Sequence, residues 1–172
     1  MVPAPARLSL LVHLARRFFG ALDPRGPASE AELWAATHLL PGEVALWRRM
    51  SGPDRRHAVG VGRDVATTLG AAASRAVLAA ALLHDVGKLE SGLGTLARVP
   101  ATLLGLCARA RFSSGDGRIA RYLRHDELGG RLLVEAGSDP LTSDWAAEHH
   151  LPPDRWTVPR PIANALKAAD GD

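Results

Sequence analysis

Cysteine occurs once in the 172 residues, at Cys107. A lone thiol excludes a disulfide framework and a thiolate zinc cluster, and it leads us to expect a reducing, cytoplasmic setting. Lysine is almost as scarce: of 21 basic residues only Lys88 and Lys167 are lysines, so the net charge of +3 is carried by arginine. That surplus suits anionic partners in general, is explained equally by a coding bias toward arginine and alanine, and is too small to indicate nucleic-acid binding. Aromatic residues make up only 5%, and β-branched residues rarely alternate with polar ones between turn signals, which argues against strands and hairpins. Runs of the roughly 18 apolar residues needed to cross a membrane are missing. The N-terminal stretch ARLSLLVHLARRFFGAL, residues 6–22, is interrupted by His13, Arg16 and Arg17 and is followed by no small-residue cleavage pattern, so it does not read as a targeting segment. The expectation is one all-α, soluble domain, large enough to bury a core without a structural metal.

Apolar periodicity and helix punctuation predict helices over residues 5–22, 29–39, 42–50, 54–69, 74–86, 93–112 (broken by Pro100), 118–136, 139–149 and 162–169. Ser29 is expected to cap its helix, with Glu32 completing a capping box. Breakers separate these pieces at DPRGP, SGLG, SSGDG and LPPDRWTVPRP, none long enough for a domain linker. The apolar stretch 93–107 reads as either a dimer surface or core, and the oligomeric state is not legible.

Against this background the histidines stand out. His13 and His38 are isolated, whereas His57, His84, His125, His149 and His150 lie beside acidic or arginine residues in RRH, LLHD, RHDELGG and AEHH. One helical histidine is an ordinary surface or core residue. Five on four helices, with carboxylates among them, offer the nitrogen and oxygen donors that hold a catalytic divalent ion.

These residues carry a resemblance. The chain resembles the HD superfamily of metal-dependent phosphohydrolases, marked by a histidine, a later His-Asp doublet and a final aspartate. His57 in DRRHAVGVGRDV resembles the first histidine, His84 and Asp85 in LLHDVGK resemble the doublet with its Gly-Lys extension, and Asp170 in NALKAAD resembles the last ligand. The match spans roughly residues 57–170, making residues 1–52 a helical extension and 53–172 the HD-type core. His125 in RHDELGGRLL resembles the H-x-x-x-G element, and the pair His149-His150 resembles that of the HD-GYP, cyclic-di-AMP phosphodiesterase and RNase Y-like branches. The chain departs from HD-GYP proteins after His150, where LPPDRW replaces the glutamate and Gly-Tyr-Pro loop, so cyclic-di-GMP is not the implied substrate.

The resemblance implies an HD-type helical bundle with one or, more fully, two divalent ions (Fe, Mn, Co or Ni, with Zn also suited). His57, His84 and Asp170 would hold the first and His125, His149 and His150 the second. Asp85 would bridge them, because a carboxylate has two oxygens where an imidazole offers one nitrogen. Neighbouring helical residues point about 100° apart, so His84 and Asp85 converge only at a helix end, and Gly87 is the expected terminator. Lys88 is read either as a phosphate contact in catalysis alongside Asp85 or as a cation at a helix C-terminus. Arg109, Arg111, Arg118, Arg121 and Arg124 are read as a phosphate-binding rim or a solvated face, Glu127 and Glu148 as carboxylates that orient imidazoles or as surface groups, and Trp156 as a core residue or a base-stacking platform. The implied activity is hydrolysis of a nucleotide or other phosphorylated small molecule. The alternatives are a nucleotide-binding module without turnover and an HD-type di-iron oxygenase.

Overall fold

The computed structural model describes residues 23–94 and 115–171, and every regular element among them is helical: α1 Ser29–Thr37, α2 Pro41–Arg49, α3 Gly52–Leu69, α4 Arg75–Leu83, α5 Lys88–Ser91, α6 Arg118–Leu123, α7 His125–Glu135, α8 Pro140–Glu148 and α9 Arg160–Asp170. None is long and apolar enough to cross a membrane. The predicted helix 5–22 and nearly all of 93–112, with Cys107, Arg109 and Arg111, lie outside the described residues, while Leu93 and Gly94 are not helical.

α4 is the axis of the molecule. Its sequence RAVLAAALL is apolar all round after the first residue, the pattern of a helix buried on every side, and Val77 through Leu83 are all buried. One face, with Ala79, Leu82, Leu83 and the following Val86, packs in a core with Ala31 and Ala35 of α1, Leu46 and Trp47 of α2, Ala58 and Val59 of α3, Leu133 of α7 and Ala146 of α8. The opposite face, with Val77, Leu78, Ala80 and Ala81, packs with Val61 and Val65 of α3, Trp145 of α8, Val158, and Ala163 and Leu166 of α9. Each fully buried valine or leucine contributes about 1.5–3 kcal/mol, and the alanines between them let neighbouring helices come close. α1 and α2 share a core with the helices that follow.

Several helix starts follow from capping chemistry. Ser51, Ser74 and Asp139 accept from the backbone N–H of Asp54, Val77 and Leu141 at 3.3, 3.4 and 3.0 Å, satisfying donors that a helix start leaves open. Ser29 does not cap α1. Ser29 is itself the first helical residue and Ala28 holds the cap position with no side-chain cap, while Glu32 accepts from Trp47 Nε1 at 2.8 Å and pairs with Arg55 at 3.2 Å.

Two predicted helices end or break early. The helix expected to run to Val86 stops at Leu83, and residues 84–87 form turns. The helix expected over 118–136 breaks at Arg124, whose φ of −110° and ψ of 22° lie off the helical basin. Gly87 is therefore not a terminator with special dihedrals, since its φ is −64°. Its role is steric: a Cβ there would lie 1.8 Å from the His125 carbonyl oxygen and 2.5 Å from the Gly129 amide nitrogen. Gly129 lies against Gly87 and Val86 in return, and a Cβ on Gly130 would come within 2.9 Å of the Ala147 Cβ on α8. The glycines of HDVGK and HDELGG thus seat α7 against both the turn after α4 and α8.

Gly60, exposed on α3, has open space where a Cβ would go. Gly60→Ala should stabilise the protein by about 0.5–1 kcal/mol, whereas Gly87→Ala should cost about 2 kcal/mol or more through backbone overlap. Chemical denaturation of the two variants checks the opposite signs.

Candidate metal centre

The turn after α4 puts His84 and Asp85 at the buried end of the axial helix, 2% and 5% exposed. Around them gather His57 from the second turn of α3, His125 at the break between α6 and α7, His149 and His150 at the end of α8, and Asp170 at the last turn of α9. All seven residues proposed as ligands therefore come together. His38 lies apart, edge-on to Trp34, and His13 is outside the described residues.

Three of the imidazoles are aimed by the same local device. The Nδ1 nitrogens of His84, His125 and His149 lie 2.9, 2.8 and 2.9 Å from the carbonyl oxygens of Ala81, Tyr122 and Ala146, each three residues earlier. A carbonyl only accepts, so Nδ1 carries the hydrogen, and each histidine satisfies a carbonyl that its helix end would leave open. The consequence is that Nε2 is the nitrogen presented to the centre, as in protein sites whose ligating imidazoles are oriented by a backbone carbonyl.

The presented atoms form two groups. His57 Nε2 lies 2.9 Å from Asp170 Oδ1, and His84 Nε2 lies 3.4 Å from that oxygen and 3.5 Å from Asp85 Oδ2. On the other side, His125 Nε2 lies 3.2 Å from His150 Nε2 and 3.2 Å from Asp85 Oδ1, with the His149 ring 4.0 Å from that of His150. Asp85 therefore turns one oxygen toward each group. Two sets, His57–His84–Asp85 and His125–His149–His150, each bring ligand atoms within 4.8 Å of one another. Donors in neighbouring positions on one ion at about 2.1 Å are about 3.0 Å apart in octahedral and about 3.4 Å apart in tetrahedral geometry, so the spacings suit coordination. His84 Nε2 and His149 Nε2 are buried with no hydrogen-bond partner. Buried polar atoms are rarely left so; His84 Nε2 at least faces the Asp85 and Asp170 carboxylates, whereas the orphaned His149 nitrogen is what a bound cation would satisfy.

The charges are strongly coupled. Burial opposes ionisation of Asp85, yet the ammonium of Lys88 and the imidazole of His84 hold its carboxyl well below the usual range. Asp170 is likewise held low against its burial by His84 and His57. His84, which burial alone would push down, is raised to about 10 by Asp85 and Asp170. His149 is pushed far down by burial and by His150 and His84, and His150, at the solvent edge but packed among the other rings, is lowered to about 3 by that packing and by His125. In the ion-free protein the excess negative charge is thus shared between Lys88 and a proton on His84, while His149 stays neutral with its lone pair ready.

Lys88 opens α5 and does not close α4, which removes its helix-dipole role; its Nζ donates to Asp85 Oδ2. Neither Glu127 nor Glu148 hydrogen-bonds an imidazole. Glu127 pairs with Arg131 at the surface, and Glu148 accepts from the backbone of Thr157 and Val158. Arg118 donates to the carbonyls of Ser91 and Gly92, and Arg124 donates to the Gly115 carbonyl at 2.8 Å, so both hold the chain around α6. Arg121 is exposed. Trp156 is committed as well: its ring lies edge-on to Trp145, Arg160 covers it at 5.6 Å, and its Nε1 donates to the Leu151 carbonyl. The lysine missed in sequence is Lys167, whose Nζ donates to the His149 carbonyl at 3.1 Å. As the only other lysine, one helical turn before Asp170, it carried a signal.

A scan against protein-family models finds no match, and searches of curated proteins and of solved structures find none either.

Because His84 is raised to about 10, it holds its proton at neutral pH in the ion-free protein and must release it for a metal to bind. Metal affinity should therefore rise with pH up to that value, and uptake at pH 7.5 should expel about one proton. Calorimetry in two buffers of different ionisation enthalpy checks this, since no dependence of the heat on the buffer would mean that no proton is displaced.

Proposed function

We propose that the chain is an HD-type phosphohydrolase or phosphodiesterase that uses a divalent metal centre, most fully a pair of ions, to hydrolyse a nucleotide or similar phosphorylated small molecule. The observation that carries this is Asp85, whose two oxygens address separate histidine groups. The ordered motif His57, His84-Asp85, His125, His149-His150 and Asp170 along the sequence adds to it.

The residues present fit such a group. His57, His84 and Asp170 would hold one ion and His125, His149 and His150 the other, with Asp85 shared. Fe, Mn, Co or Ni suits a nitrogen-rich shell better than magnesium does, and Zn is compatible. When bound, such ions supply an activated water and a clamp on the phosphoryl oxygens.

The protein's own part is positional and electrostatic. The three Nδ1 anchors hold His84, His125 and His149 in one orientation before any ligand arrives, so little reorganisation is left for binding. Lys88 places a positive charge at Asp85 Oδ2, at the edge of the cluster where an anionic substrate would meet it. His57, 29% exposed, and the exposed His150 mark where substrate reaches the centre, while the fully buried rings of His84 and His149 keep water from its back.

Protein loaded with Mn²⁺ or Fe²⁺ should turn over at least one member of a panel of nucleotides, cyclic dinucleotides and dinucleoside polyphosphates. Absence of turnover across the panel with metal bound would defeat the hydrolytic assignment. Asp85→Asn should lower metal content and reduce turnover at least about 100-fold while the helical circular dichroism signal persists, because a neutral amide cannot balance two cations. Survival of activity in that variant would show that Asp85 is not central.

A further inference from the structure

The turn that presents His149 and His150 is closed by a contact that makes no approach to an imidazole. Glu148, the last residue of α8, is 5% exposed, a costly place for a carboxylate unless donors surround it. They do. The Thr157 amide donates to its two oxygens at 3.0 and 2.8 Å, the Thr157 hydroxyl donates at 3.1 Å, and the Val158 amide donates at 2.8 Å. These donors sit nine and ten residues further on, so Glu148 ties the exit of the loop that begins at His149 back to the point where the loop starts.

The loop is braced inside as well. Leu151 N–H donates to the Glu148 carbonyl at 2.8 Å, Trp156 Nε1 donates to the Leu151 carbonyl at 3.0 Å, and Lys167 from α9 donates to the His149 carbonyl at 3.1 Å. His149 keeps its Nδ1 on Ala146 and its ring against Trp145. Among the described residues His150 has no such hydrogen bond to α8; its ring lies against those of His125 and His149. Its direction depends on the path of the backbone through residues 148–151, which the clasp holds together with these bonds.

We infer that Glu148 is a positioning residue for the paired histidines, acting through the Thr157–Val158 backbone to hold His150 toward His125. The inference rests on the metal-centre proposal. It predicts an effect concentrated on one side of the centre: His57 and His84 are held from α3 and α4, and Asp170 sits at the far end of α9 from the clasp. A carboxylate receiving four charge-assisted hydrogen bonds is not replaced by an amide, which has one acceptor oxygen and turns N–H donors toward the loop donors.

The ion-free full-length chain would be titrated with Co²⁺ and followed by visible absorption, with His150→Ala identifying the band that belongs to the His125–His149–His150 side. The expected result is two bands in the unaltered protein. In Glu148→Gln the dissociation constant of the His150-dependent band should rise at least about tenfold and that of the other band change less than about threefold. Equal weakening of both bands, or no change in either, overturns the positioning role. If Glu148→Gln does not fold, Thr157→Val removes only the hydroxyl bond from an exposed position, and about threefold or greater weakening of the same band alone is expected, with no change overturning the inference. Failure of the unaltered chain to take up any Co²⁺ is a separate result, and it overturns the metal-centre proposal along with this one.

Discussion

Carboxylates and imidazoles cannot be taken out of water without partners, yet Asp85, Asp170, His84 and His149 are together at the end of the axial helix, each 5% exposed or less. Without an ion, the cluster balances itself with Lys88 on Asp85 and a proton on His84, and the buried Nε2 of His149 still lacks a hydrogen-bond partner. The rest of the fold can be understood as what brings those groups together and keeps water behind them. An alanine-rich helix allows α3, α8 and α9 to crowd its end, and paired glycines let α7 approach its final turn closely enough to deliver His125.

The orientation of the ligand atoms is a backbone property as much as a side-chain one. His84, His125 and His149 each sit just past the end of a helix and each uses Nδ1 on the carbonyl three residues back. A helix interrupted at Arg124 looks like a defect in isolation. Here the break creates the end that His125 needs, and a continuous helix would have aimed that ring elsewhere.

Much of this was legible from local chemistry. The apolar run before His84 and the five histidines beside charged residues depend on short-range pattern, the resemblance to the HD superfamily added Asp85 and Asp170, and the all-helical content follows from scarce strand signals. What was not legible depends on residues far apart in the chain. Glu32 reaches Trp47 and Arg55 and forms no capping box with Ser29, Glu148 reaches Thr157 and Val158, Trp156 is enclosed by Trp145 and Arg160, and Gly87 is required by a carbonyl on α7 and not by its own dihedrals. Hydrogen bonds and overlaps between helices decided each case, and no helical periodicity carries that information.

The proposed centre has two adjacent coordination positions that share Asp85. Crystals grown with Mn²⁺ or Co²⁺ and measured at the metal absorption edge test it directly. Two anomalous peaks about 3.5–4 Å apart, one bounded by His57, His84 and Asp170 and the other by His125, His149 and His150, are the expected result; a cluster free of anomalous signal while metal occupies only surface positions would contradict a metal centre built on Asp85.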